Sequence, residues 1–226
     1  YRMPKQRSSI LFRVPVARPI TMEEAVLPVE PYLMGYWLGN GCSIKPEITI
    51  QTKDIDTVIG NISPYHAIQS SRDNVGDSKI FRIPDLSRVL VASFHDKVIP
   101  SQYLRSSRAQ RFRLLQGLMD SDGAISTNKG QAIYTSAEKG LAESVRELLW
   151  SLGIKNTMET APSTQRSDWS LPSGVCHRIA TGKTIYYVKF TAFEDLPIAG
   201  LQRKQCRARK RNPRTRSHYR YIESIE

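Results

Sequence analysis

Apolar residues along this chain follow two rhythms. In residues 43–53, Ser43, Lys45, Glu47, Thr49, Gln51 and Lys53 alternate with Ile44, Ile48 and Ile50, and Pro46 interrupts the apolar side as a turn or an edge. A period of two with one apolar face predicts a half-buried strand whose polar face looks outward. In LQGLMDSDG, residues 115–123, Leu115, Leu118 and Met119 sit at helical spacing instead and predict a buried helix. That helix ends on Asp122 and Gly123. An acid there faces the negative end of the helix dipole, where bases are favoured.

The same pattern occurs twice. LMGYWLGNG at 33–41 aligns with LQGLMDSDG, with Leu first, Gly third and Gly last, and with Asn40 matching Asp122 in the eighth place. Each copy is followed by a polar β-rich stretch, a helix-like segment and a second β-rich stretch. These are SIKPEITIQTKD, DTVIGNISPYHAI and SKIFRI after the first copy, and AISTNKGQAIYTSAEKG, LAESVRELLWSLGIK and KTIYYVKFTAF after the second. The chain therefore reads as two αββαββ-like halves joined near IPSQYLRSS. Pro31 suits a first helical turn, Ser107 with Gln110 makes a capping-box pattern, and Gly41 and Gly123 are expected in the left-handed position past a helix end. Gly35 and Gly39 are four apart, as are Gly117 and Ser121. Small residues at that spacing let two helix backbones approach, so the two motif helices are expected to pack side by side.

Composition narrows the partner. The 226 residues are 40% hydrophobic and carry a formal net charge of +12. This is a globular chain suited to a polyanion, nucleic acid first and an anionic membrane surface second. No apolar run approaches the roughly 20 residues of a membrane span, and the polar opening YRMPKQRSS is no signal peptide. Cys42, Cys176 and Cys206 form no CxxC pair, so no disulfide framework or zinc site is expected and a reducing intracellular setting fits. Cys176 and His177 are neighbours read as structural. With that charge, the outward face of residues 43–53 becomes a candidate nucleic-acid surface, since a two-stranded ribbon fits the major groove and its polar side chains reach base edges.

If the two motif helices pack through their small faces, Asn40 and Asp122 converge at two negative dipole ends with at least one carboxylate. Such a pocket attracts a divalent cation, and Gly39 and Ser121 belong to it with Asn40 and Asp122. Phosphodiester hydrolysis needs that combination, because a metal ion polarises the phosphoryl oxygen and lowers the pKa of a water. Oxygen ligands favour Mg2+ or Mn2+ over zinc.

LQGLMDSDG resembles the signature of the LAGLIDADG homing endonucleases, and LMGYWLGNG resembles the first copy in a monomeric, two-motif member. KVIPSQYL leading to RFRLLQGLMDSDG resembles the endonuclease segment of inteins. The resemblance covers roughly residues 31 to 205. It implies an α+β fold of two pseudo-symmetric αββαββα repeats forming a saddle, with antiparallel DNA-binding sheets and a central two-helix interface. The implied division is an N-terminal arm (1–30), a first half (31–106), a second half (107–203) and a basic C-terminal segment (204–226). The implied activity is metal-dependent, site-specific cleavage of double-stranded DNA at a long asymmetric target. The protein would act as an intracellular, cytoplasmic monomer, as part of an intein precursor.

Carried over, Asp122 is the metal-binding acid of the second half, and Asn40 stands where the family has Asp or Glu, a departure that implies weakened or inactivated double-strand cleavage. Lys97 and Lys204 match the lysines the family keeps near each active centre, with Arg203 beside the latter. Lys53 and Ser136 stand at corresponding strand ends. Ser126, Asn128 and Lys129 join Ser43, Lys45, Glu47, Thr49, Gln51 and Lys53 as DNA-contacting candidates. Residues 203–220 hold nine Lys or Arg, and Arg207, Arg209 and Arg211 are read as an arm on phosphates or a solvated linker. HYRYIESIE resembles a strand of an intein splicing domain. Without a leading Cys or Ser and a closing His-Asn, splicing by this chain alone is not expected. The alternative reading is a non-cleaving DNA-binding regulator or an RNA-intron maturase on the same fold.

Overall fold

The computed structural model describes residues 13–62, 65–70, 76–87, 97–127, 130–162, 183–211 and 219–221. The two motifs form helices α1 (Pro31–Asn40) and α4 (Arg108–Ser121). Each begins on a side-chain cap. Glu30 accepts from the Leu33 amide, with Pro31 in the first turn, and Ser107 and Gln110 exchange both bonds of a capping box. The helices pack on each other as the centre of the fold, with Leu33, Leu114, Leu115 and Leu118 fully buried.

After α4 the chain runs β5 (Gly123–Ile125), β6 (Gln131–Ser136), α5 (Lys139–Ser151), β7 (Asn156–Pro162) and β8 (Thr184–Thr191). The four strands form an antiparallel sheet ordered β5-β6-β8-β7. Helix α5 lays Leu141, Val145, Leu148 and Leu149, all buried, on that sheet. After α1 come β2 (Glu47–Gln51), a 3-10 turn (Thr52–Asp54), α2 (Ile55–Asn61), β3 (Ile68–Gln69) and β4 (Ser78–Arg82), in a sheet ordered β2-β4-β3.

The two sheets follow one plan. Gly123 pairs with Tyr134 in β6, and Gly41 makes an isolated bridge to Ile48 in β2. Gly41 and Gly123 are the last residues of the aligned motifs, so the first half keeps the path of β5 as a single bridge. Both halves thus repeat the antiparallel layout expected from the sequence, on a central two-helix interface. Helix α3 (Ser101–Leu104) leads into α4, and β1 (Arg13–Pro15) pairs antiparallel with β9 (Tyr219–Tyr221).

Three local expectations are corrected. The strand of the first half begins at Glu47 rather than Ser43, and Ile44 lies in the preceding loop, 74% exposed, not on the apolar face. Gly41 has φ −89° and ψ 151°, and Gly123 is not among the described glycines with positive φ. Both are glycine for space instead. A Cβ on Gly41 would lie 2.1 Å from the Trp37 ring, and one on Gly123 2.5 Å from the Met119 side chain.

The segment before α1 is tied down. Ile20 donates to the carbonyl of Ser151, Gln110 holds Ala25 through both its amide and its carbonyl, and the Tyr103 hydroxyl does the same for Val29. Arg111, fully buried, donates to the carbonyls of Ser106, Ser151 and Ile20. These acceptors satisfy a cation whose burial is otherwise costly.

Candidate active centre at the ends of the motif helices

The last turns of α1 and α4 meet. A Cβ on Gly39 would lie 2.1 Å from Ser121 Oγ and 3.0 Å from Asp122 Oδ2, so the glycine leaves the space these groups fill. The four residues read as a metal pocket, Gly39, Asn40, Ser121 and Asp122, therefore sit at one junction. Asn40 is half-buried and its amide neighbours the Tyr36 hydroxyl, which donates to the carbonyl of Thr49 at 3.3 Å.

Two lysines close the helix ends. Lys97 Nζ donates to the carbonyls of Gly41 at 2.8 Å, Trp37 at 3.4 Å and Gly39 at 3.5 Å. Lys204 Nζ donates to the carbonyls of Met119 at 2.7 Å, Gly123 at 2.8 Å and Asp120 at 2.9 Å. In the motif alignment Trp37 matches Met119 and Gly41 matches Gly123, so two of the three carbonyls that each lysine takes are equivalent in the two halves. Each ammonium gathers carbonyls at and just past a helix C-terminus, where its charge suits the dipole end.

Charges here are tuned by crowding. Asp122 is open to solvent, yet the surrounding protein raises its carboxyl pKa, against the pull of Lys97 and Lys204. Desolvation lowers Lys97, opposed by Asp122 and Cys42. It brings Lys204 down to about 8, with Arg203 adding to the shift and Asp120, Asp54 and Asp122 opposing it. Among the described residues no three His, Cys, Asp or Glu side chains converge as a metal cluster. The donors at the junction are the Asp122 carboxylate, the Asn40 amide and main-chain carbonyls. All are hard oxygens, which fit Mg2+ or Mn2+ rather than a soft metal.

Sequence reading missed two acids. Asp120, 4% exposed, accepts from the Tyr32 hydroxyl at 2.9 Å and from the amides of Gly200 and Leu201. It thereby holds the turn into α6 (Gln202–Gln205), which carries Lys204. Burial raises its pKa while these bonds and Lys204 lower it. Asp54 takes both arms of Arg203. The sequence signal for Asp120 was a second acid two places before Asp122; its counterpart in the first motif is Leu38.

The remaining candidates divide. Lys45, Gln51 and Lys53 are exposed, Ser43, Glu47 and Thr49 half-buried, and Ser126 exposed beside β5; Asn128 and Lys129 lie outside the described residues, as do Cys176 and His177. Ser136 is 8% exposed and its hydroxyl binds the backbone of Glu138 on the way into α5. Residues 207–211 are not a free arm. Arg207 donates to the carbonyl of Ile125, the Arg209 backbone bonds Ala192 and Glu194, and Arg211 pairs with Asp195 at 3.0 Å while lying over the Phe193 ring. No helix among the described residues is long and apolar enough to cross a membrane.

Residues 109–190 match the family described as the LAGLIDADG-like domain. The chain is 32% identical over 154 residues to the replicative DNA helicase DnaB of Mycobacterium intracellulare, covering 68% of this chain and 24% of the helicase. It is 31% identical over 137 residues to a DNA polymerase of Thermococcus sp. (strain GE8), covering 57% of this chain and 8% of the polymerase. The chain thus spans about a quarter of the first relative and less than a tenth of the second. Among solved structures it resembles mesophilic variants of the homing endonuclease I-DmoI, with 14% identity, a TM-score of 0.43 and coverage of 73% of this chain and 88% of theirs. For I-DmoI in complex with DNA and Ca the TM-score is 0.45, with 14% identity and coverage of 73% and 83%. The stretch similar to the LAGLIDADG-like domain, residues 109–190, holds Asp122 and the helix end that Lys204 closes.

Proposed function

We propose that this chain is a site-specific DNA endonuclease of the homing type, with one complete and one weakened half-site. The observation that carries this reading is the pair of lysines, Lys97 and Lys204, on equivalent carbonyls beside one carboxylate, Asp122. A structural cap would need no acid at the same helix end, where it opposes the dipole.

Asp122, with Asn40 and the carbonyls of Gly39 and Ser121, would hold Mg2+ or Mn2+. That ion supplies Lewis acidity and a more acidic bound water. The chain's own groups do the rest. Lys204, with a pKa near 8, is divided between ammonium and amine a little above neutral pH. As ammonium, held on three backbone carbonyls, it places positive charge beside the junction where phosphorane oxygens would form. Lys97 has the same placement for the other strand, but Asn40 brings one neutral oxygen where an acid would bring a charge. Gly39 keeps the helix ends close enough for both strands' phosphates to be reached from one junction. The polar faces of β2 and β5, with the net charge of +12, supply the duplex-binding surface.

The matched relatives are far longer than this chain. That supports a segment carried within a larger host protein, as inteins are. Asn40 favours a second reading, a DNA-binding protein that does not cut. A supercoiled plasmid bearing the uninterrupted host-gene sequence, incubated with Mg2+, separates the two. The chain as written nicks, and Asn40→Asp raises the linear product. If neither form gives nicked or linear DNA, the binding-only reading stands and the nuclease falls.

A further inference from the structure

Arg203 and Asp54 are 149 residues apart and come from opposite halves. Arg203 Nε donates to Asp54 Oδ1 at 2.8 Å and Nη2 to Oδ2 at 2.5 Å. Asp54 ends the 3-10 turn that follows β2 and is 5% exposed. The geometry is two-pronged, the form in which guanidinium and carboxylate fix each other's orientation. A desolvated pair of this kind is a weak source of stability, and orientation is its better-attested use.

What it orients is the short helix α6. Besides the bonds of Lys204 Nζ to the end of α4, residues 196–205 are held by Gln205, Asp120 and Asp54. Gln205 ties its own turn together by accepting from the Ala199 amide and donating to the Leu196 carbonyl. Asp120, from α4 of the same half, takes the Gly200 and Leu201 amides. Asp54 alone among these holds the segment from the first half. Adjacent residues on a helix diverge by about 100°, so Arg203 reaches the first half while Lys204 reaches the end of α4.

We propose that the Asp54–Arg203 pair positions Lys204 from the opposite half, so that the second half's lysine depends on the turn that ends the first half's DNA-facing strand. This rests on the reading above, in which Lys204 acts on a phosphodiester. Arg203 and Asp54 are positioning residues and touch no reacting atom.

The experiment uses the full chain and the plasmid bearing the uninterrupted host-gene sequence, with Asp54→Asn, Arg203→Met, the double variant and Lys204→Met. Displacing a catalytic group by about 1 Å costs on the order of 100-fold. Each single variant is expected to lose nicking rate at saturating protein to about that extent, with plasmid affinity and its salt dependence unchanged and the double variant no worse than either single. An activity-independent readout accompanies it: acylation of Lys204 by an amine-reactive ester, followed by peptide mass. Lys204 labelling rises several-fold in both single variants while Lys97 labelling stays constant. Normal nicking and normal labelling in Asp54→Asn and Arg203→Met overturn the proposal. So does an equal rise at Lys97, which marks general loosening, or a weaker and less salt-sensitive affinity in Arg203→Met alone, which makes Arg203 a phosphate partner. Full nicking by Lys204→Met instead removes the underlying reading of the lysine, whatever the pair does.

Discussion

Gly35 and Gly117 face each other across the central helix pair, each occupying space that the other helix's backbone denies to a side chain. A Cβ on Gly35 would lie 2.2 Å from the carbonyl oxygen of Leu114, and one on Gly117 would lie 2.1 Å from that of Tyr32. Neither obstacle is the far end of a flexible side chain, so relief requires the helices to part. Overpacking typically costs about 1–3 kcal/mol, and a clash with rigid backbone lies at the upper end. Gly35→Ala is therefore expected to lower the urea midpoint sharply. Gly60→Ala, in α2 with nothing within 4 Å of the added carbon, is expected to gain about 0.5–1 kcal/mol from helix propensity. Equal midpoints for the two variants would contradict the close helix approach.

Asp122→Asn is expected to abolish nicking while leaving plasmid affinity and the fold in place. Its carboxyl, though open to solvent, is raised above the ordinary value by the surrounding protein, against the pull of Lys97 and Lys204. A raised acid withdraws stability as pH climbs through its folded pKa, because the folded state then holds the proton that the unfolded state has released. At neutral pH the Asn variant should accordingly unfold at the same denaturant concentration as the parent or a higher one. Retained nicking in Mg2+ would remove Asp122 from the chemistry.

Stability should also follow pH on the alkaline side. Lys204 falls from an ordinary value of 10.5 to about 8 on folding, and Lys97 shifts the same way. Between those values the unfolded state binds the extra proton, so stability rises with pH. Tyr32, Tyr36 and Tyr103 are raised by burial. Above about pH 10, where free tyrosines ionise, the folded state keeps protons the unfolded state loses, and stability falls. Unfolding free energies measured from pH 7 to 11 should climb and then turn down. Lys204→Met should flatten the climb and spare the descent; an undiminished climb would mean Lys204 stays charged throughout.

Substitution of Lys45, Glu47 or Gln51 is expected to change which bases are preferred, by about 1–3 kcal/mol for each bidentate hydrogen-bonded pair with a base that is removed. Neutralising Arg207, Arg209 and Arg211 should weaken binding to all sequences alike, and flatten log K against log salt by about 0.9 for each phosphate that loses its cation. Binding isotherms on randomised and selected duplexes at several salt concentrations check both. A change of base preference from the arginines alone would reassign the reading surface.

The repeated glycines made the helix interface legible from the sequence, because close backbone approach leaves a mark at fixed spacing in both motifs. Asp122 was legible for a related reason: it stands where the dipole disfavours it. Lys97 and Lys204 came from family resemblance alone, since nothing local announces a lysine that folds back on a helix end. Asp120 was hidden because its matching residue, Leu38, broke the repeat at that place. The Asp54–Arg203 pair was hidden by 149 residues of separation, which no periodicity spans. Ile44 misled because alternation continued past the strand's true start, across Pro46, into a loop. Residues 207–211 looked like a free arm because their partners, Asp195 and Phe193, lie in a turn without pattern of its own.

Among the described residues of the first half, the strand that should follow the motif helix is the bridge from Gly41 to Ile48, beside strands of five, five and two residues. The described residues of the second half form strands of three, six, seven and eight. A strand advances about 3.3 Å per residue, close to the roughly 3.4 Å between successive bases of one DNA strand. The five residues of β4 therefore run past about five base pairs, and the eight of β8 past about eight. A duplex lying along both would be proofread unevenly: spelling errors under the second half would be rejected, and those under the first forgiven. As the host gene drifts, such a protein would keep pace with change on one flank of its target and lose its hold through change on the other.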